Sequence, residues 1–159
     1  MTKRVEEIQQ NWRELLPADV ETGSSTEPVE LGDEDWRKKL EPEAFEVLRH
    51  EATERAFTSP LNDEHRSGVF VCAGCGQPLF TSEMKYDSGS GWPSFFTAIP
   101  GSLATSTDYK LLMARTEYHC SRCGGHHGHI FEDGPQPTGT RFCNNGVALK
   151  FVEKDKTEG

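Results

Sequence analysis

The chain has 159 residues, enough for one domain with a modest core and little room for a second. Hydrophobic residues make up only 34%, and 15 Gly with 9 Pro favour frequent turns over a long helical bundle. The net charge is −9, and residues 1–70 alone hold 9 basic against 17 acidic groups, so no Lys/Arg block exists to track a phosphate backbone; nucleic acid is excluded as a partner of the whole chain.

In chain order, Val5, Ile8, Trp12, Leu15 and Leu16 recur at helical intervals and predict an amphipathic helix over 5–16, ended by Pro17. Residues 18–32 carry few apolar groups and read as a linker. Asp33 is expected to cap a second helix, with Trp36 and Leu40 on its buried side and Arg37, Lys38 and Lys39 in solvent. Pro42, at a first helical position, opens a third helix running through Leu48. Beyond residue 66 the texture changes to short apolar runs between Gly-rich turns: 68–71, 78–80, 109–113 and 147–152. Helices first and an antiparallel β-sheet domain after them is the predicted order. No apolar run approaches the ~18 residues of a membrane span. Lys3-Arg4 is followed by Glu6-Glu7 rather than by an apolar stretch. The expectation is therefore no secretory leader, no membrane, a cytoplasmic chain and reduced thiols.

The odd count of five cysteines cannot pair completely within one chain. Cys72-Ala-Gly-Cys75 and Cys120-Ser-Arg-Cys123 are two Cys-x-x-Cys pairs separated by 44 residues, each with glycines at its turn. One such turn brings two thiolates to one metal edge, and two close a tetrahedron around Zn²⁺. Four protein ligands leave no open position, so the expected zinc is structural. A redox dithiol would call for one pair beside a βαβ pattern, which is absent.

The fifth thiol, Cys143, lies in Thr140-Arg-Phe-Cys-Asn-Asn145. On a strand, Arg141, Cys143 and Asn145 share one face and Phe142 takes the other. A guanidinium beside a thiol favours the thiolate, although a lone cysteine also packs as a small apolar residue. Four of the six histidines fall between His119 and His129, just upstream. His126 and His129 suit proton donation or binding of a polar substrate oxygen. Asp133, before Gly134-Pro135, is placed either to orient Arg141 or a histidine or simply to make a turn. Trp92, in Gly89-Ser-Gly-Trp-Pro-Ser94, is either a core anchor or an apolar wall for a small methyl-bearing substrate.

Together these motifs resemble the methionine-R-sulfoxide reductase B (MsrB) family over about Trp36 to Phe151. The resemblance rests on the paired Cys-x-x-Cys knuckles, Gly91-Trp-Pro-Ser-Phe95, His126-x-Gly-His129, Asp133-Gly-Pro135 and Arg141-Phe-Cys143. It implies a mainly β domain of the MsrB β-tent type over 33–154, preceded by a helix and linker (1–32) and followed by a tail (155–159). It further implies reduction of the R epimer of methionine sulfoxide, free or protein-bound, by Cys143 through a sulfenic acid. His129, Asp133 and Arg141 would serve the chemistry; Trp92, His126, Asn145 and Phe142 would receive substrate. One position departs from many relatives: Ser90 stands where a resolving cysteine is common. With zinc taking four thiols, the implied enzyme is a monomer regenerated by an external thiol such as thioredoxin. The alternative from another class is a non-catalytic zinc-ribbon binding module using Trp92 and the acidic N-terminal half for protein contact.

Overall fold

The computed structural model describes residues 32–50, 57–64, 66–99, 101–108, 115–135 and 138–153, with Ile8 and Arg55. The expected helix over 5–16 (Ile8 apart), most of the linker, the run at 109–113 and the tail lie outside these residues. Helix α1 spans Asp33–Lys39 and α2 spans Pro42–His50. Asp33 is not the cap of α1. The Gly32 carbonyl accepts the first helical bond from Trp36 N at 3.1 Å, which makes Gly32 the cap and Asp33 the first helical residue. Pro42 opens α2 as expected, since its missing N–H is no loss in a first turn. Ala44, Phe45, Val47 and Leu48 form the buried stripe of α2.

Among the described residues nine strands follow: β1 (Gly68–Cys72), β2 (Pro78–Thr81), β3 (Lys85–Tyr86), β4 (Ser94–Phe95), β5 (Leu103–Asp108), β6 (Arg115–Cys120), β7 (His126–Phe131), β8 (Arg141–Asn144) and β9 (Leu149–Glu153). All pairings are antiparallel, and they build a three-stranded sheet, β2-β1-β9, and a six-stranded sheet, β3-β4-β8-β7-β6-β5. The expected run at 147–152 divides: a 3₁₀ turn takes Gly146–Ala148 before β9 begins. β1 is buried at every residue, as the centre of the small sheet should be.

The core is aromatic. Phe80 stacks on Phe95 at 3.9 Å and meets Phe142 and Tyr118 edge-on at 5.9 and 6.4 Å. Phe70 lies against Phe95 and Phe151 at 5.1 and 5.0 Å. These rings come from both sheets and fill the space between them. The helices cap one end: α2 packs on β7 and on the 146–148 turn. Arg49, over the Trp36 ring at 4.8 Å, donates to the Cys123 carbonyl at 2.9 Å. Close approach here depends on Gly125, where a Cβ would meet Leu48 Cδ2 at 2.7 Å.

Candidate active site and metal centre

The two Cys-x-x-Cys turns join β1 to β2 and β6 to β7, so each comes from a different sheet. Their backbones match: Gly76 N donates to the Cys72 carbonyl at 2.8 Å, and Gly124 N to the Cys120 carbonyl at 2.9 Å. Cys72 Sγ lies 3.6 Å from Cys123 Sγ, Cys75 Sγ lies 3.5 Å from Cys120 Sγ, and the four sulfurs fall within 4.8 Å of one another. No disulfide links any of the five cysteines. Gly74 N and Gly125 N donate to the sulfurs of Cys72 and Cys123 at 3.3 and 3.4 Å, and Gln77 Nε2 reaches Cys120 Sγ at 3.5 Å. N–H donors aimed at sulfur stabilise thiolate. The thiols share protons across the cluster: the Cys120 thiol donates to Cys75 and Cys123 and holds both below the usual range, while Cys72 and Cys120 lie above it. The donor set, the spacing and the N–H···S bonds all fit a metal ion held by four thiolates.

Cys143 lies on β8, half-buried, directly opposite Ser94 on β4 and His129 on β7; His129 in turn faces Glu117 on β6. Direct cross-strand partners share a face. Ser94, Cys143, His129 and Glu117 therefore form one row across the large sheet, extended by Tyr86 opposite Ser94. A register shift beyond Tyr118 makes His126 and His127 together oppose His119 and brings His126 back to the face of the row. There its Nδ1 lies 3.6 Å from Glu117 Oε1, and its ring meets that of His129 edge-on at 5.5 Å.

Arg141, two residues back along β8 and opposite Phe131, is on the same face. It grips Asp133 with two bonds, Nε to Oδ1 at 2.8 Å and Nη2 to Oδ2 at 3.2 Å, and lies over the Phe131 ring at 4.3 Å. The pairing holds the Asp133 carboxyl below its ordinary range and raises Arg141. Tyr86 is pushed up by burial and feels the charges of Arg141, Asp133 and Cys143. It also lines a groove of about 230 Å³ with Trp92, Phe57 and Ser88. Asn144 N donates to the Pro93 carbonyl at 2.9 Å, tying the Trp92 loop to β8. Ser90 Oγ bonds Ser88 Oγ at 2.8 Å, and Ser88 Oγ also reaches Ser94 Oγ at 2.8 Å.

The structure thus brings Cys143, His126, His129, Arg141 and Asp133 to one face, with the Trp92 loop bonded to the same strand. Asn145 leaves that strand: it is buried, and its Nδ2 donates to the His127 carbonyl at 2.9 Å. Phe142 points to the opposite face, among Phe80 and Tyr118.

The family model for the SelR domain matches residues 40–153. The peptide methionine sulfoxide reductase MsrB of Leptospira interrogans is 51% identical over 127 residues, covering 79% of this chain and 97% of its own. That of Thiobacillus denitrificans is 50% identical over 124 residues, covering 77% and 94%. That of Methanosarcina mazei is 46% identical over 130 residues, covering 81% and 93%. The chain belongs to the MsrB family.

The family match spans both metal knuckles and the whole Cys143 row. Three residues that the structure places beside these groups were missed by sequence reasoning. Glu117 and Tyr86 join the row only through pairings with distant strands. His127 was hidden between His126 and His129; it is fully buried, and burial lowers its pKa to about 4. Among the described residues no helix is long and apolar enough to cross a membrane.

Proposed function

We propose that this chain reduces the R epimer of methionine sulfoxide, free or in proteins, with Cys143 as nucleophile. The observation that carries the reading is the direct pairing of Cys143 with His129, with Arg141 on the same face. The Cys143 thiolate attacks the sulfoxide sulfur; the S–O bond breaks, and the oxygen ends on Cys143 as a sulfenic acid while methionine is released. His129, with His126 beside it, binds the sulfoxide oxygen and supplies its proton. Arg141, fixed by Asp133, stabilises the thiolate. Trp92 receives the terminal methyl group in the groove it shares with Tyr86.

Ser90 cannot form a disulfide, so an external thiol attacks the sulfenic acid, releasing water. A second thiol equivalent then frees Cys143, as thioredoxin, glutaredoxin or glutathione in the cytoplasm would supply. The unit performing this spans residues 33–154. The metal is zinc: its four-thiolate tetrahedron sets S···S separations of about 3.8 Å, close to the 3.5 and 3.6 Å between the paired sulfurs. Bound there, it supplies a cross-link between the two sheets rather than a step of the reaction.

Turnover of separated R and S epimers by the native chain and by Cys143→Ser tests the reading. The R epimer alone should be consumed, and Cys143→Ser should be inert; activity surviving the substitution overturns the assignment. After one equivalent of sulfoxide, mass spectrometry should find Cys143 oxidised and no intrachain disulfide. A disulfide to a metal cysteine would sink the external-thiol route. Chelation of the metal should unfold the domain, since binding energy at such sites is largely folding energy.

A further inference from the structure

We propose that His127 joins the metal cluster to the strand carrying Cys143, in one hydrogen-bonded chain that runs Asn144–His127–Cys72. The irregular register of β6 against β7 turns the His127 side chain inward, where it is fully buried. Its Nε2 lies 3.4 Å from Cys72 Sγ and its Nδ1 lies 3.3 Å from Asn144 Oδ1. A metal-bound thiolate can only accept, so Nε2 must carry a proton and donate to sulfur.

The state of Nδ1 follows from its neighbours. Tyr118 and Asn144 sit on either side of Gly128 in the register of β6, β7 and β8, and Gly128 has no side chain to separate them. With the Asn144 oxygen toward His127, both Asn144 Nδ2 and Tyr118 Oη are buried without a hydrogen-bond partner. An imidazolium would satisfy Nδ1 and leave both of those atoms orphaned. Reversing the amide, whose oxygen and nitrogen have the same shape, gives Nδ2 a partner at Nδ1 without charging the ring. Asn144 Nδ2–H then donates to His127 Nδ1, and His127 Nε2–H to Cys72 Sγ. The imidazole is neutral in this arrangement, as a fully buried ring should be.

The backbone reinforces the side chains. The His127 carbonyl accepts from both Asn145 N and Asn145 Nδ2, each at 2.9 Å. The two residues that follow Cys143 are therefore both held by His127, one by its ring and one by its carbonyl. Outer-shell donors of this kind orient a ligand and slow its loss. Here the same donor also sets where β8 lies, so metal binding and the placement of Cys143 share one support. No part of this depends on what the chain reduces.

The experiment uses the full chain loaded with zinc or with cadmium-113. Nitrogen-15 histidine spectra should show His127 as the neutral Nε2–H tautomer, with scalar coupling from Hε2 through Cys72 sulfur to cadmium. An Nδ1–H tautomer or an imidazolium would overturn the proposal. Exchanging zinc for cadmium should shift the Asn144 side-chain NH₂ resonances together with the His127 ring. An unmoved Asn144 would break the chain at that link. In a zinc-loaded H127L variant, metal should pass to excess chelator roughly 10–100-fold faster than in the parent; H127Q, which keeps a donor, should retain metal far better. Parent-like release from H127L also refutes the role. Should H127L not fold, the spectra of the unsubstituted chain decide.

Discussion

Replacing Gly128 with alanine isolates the spacing between the two strands on which the chemistry depends. A Cβ at this position would press on the Cys143 carbonyl oxygen and lie 2.9 Å from Cys143 C and 3.2 Å from Asn144 Cα. These are backbone atoms, so no side chain can swing aside. Carbon–carbon contacts settle near 3.5–4.0 Å, which requires β7 and β8 to part locally by about 1 Å. The neighbouring pair is Cys143 with His129, and it must open as well. Overpacking of this kind costs about 1–3 kcal/mol, equivalent to a Tm lower by roughly 2–12 °C at this chain length. A misplacement of about 1 Å at reacting groups is worth on the order of 100-fold in rate. The assay pairs steady-state kcat/KM for methionine sulfoxide, with excess thiol reductant, with a thermal scan. Gly32→Ala serves as the control, because nothing lies within 4 Å of a Cβ there. A Gly128→Ala protein with an unchanged Tm and kcat/KM within about twofold of the parent would refute the close-approach argument.

Phe80→Ala removes the ring that touches Phe95, Phe142 and Tyr118, so it should cost about 3–5 kcal/mol; a Tm shift of only a degree or two would show that the inter-sheet core repacks. Arg141→Lys loses the two-pronged grip on Asp133 and the stacking on Phe131, and kcat/KM should fall about tenfold with Tm nearly unchanged. Because Arg141 holds Asp133 below its ordinary carboxyl range, the ion pair stabilises the fold at pH values above about 3.8 and stops doing so as pH falls through the lower folded value. The stability gap between the parent and Asp133→Asn, followed by denaturant titration, should therefore be constant at neutral pH and close in acid. A gap that widens in acid would contradict the sign.

Much of the site was legible because its signals are local. Two Cys-x-x-Cys turns state a metal cluster whatever surrounds them, and the period of a strand alone places Arg141 with Cys143 and against Phe142. The opening of α2 at Pro42 and the apolar run of β1 were readable for the same reason. The cap at Gly32 was not. Asp33 carries the stronger capping propensity, yet the carbonyl that accepts the first helical bond belongs to the residue before it. Glu117 and Tyr86 were equally invisible, since each joins the Cys143 row only through pairing with strands far away in sequence. His127 looked like one more member of a histidine cluster. The register irregularity beyond Tyr118, a property of two strands together, sends it to the metal side while His126 and His129 stay beside Cys143.

By itself the sequence determined the partition of five cysteines into four and one, the order of helices before strands, and the chemistry open to Cys143. Those follow from residue type and short spacing, which act before the chain folds. Only the tertiary structure decided which sheet each metal knuckle belongs to, which histidine lies beside the thiol cluster and which beside Cys143, and that Ser94, Cys143, His129 and Glu117 stand in line. Such relations are set by strand register, and register is fixed by burying the aromatic core between two sheets rather than by any local stretch of chain.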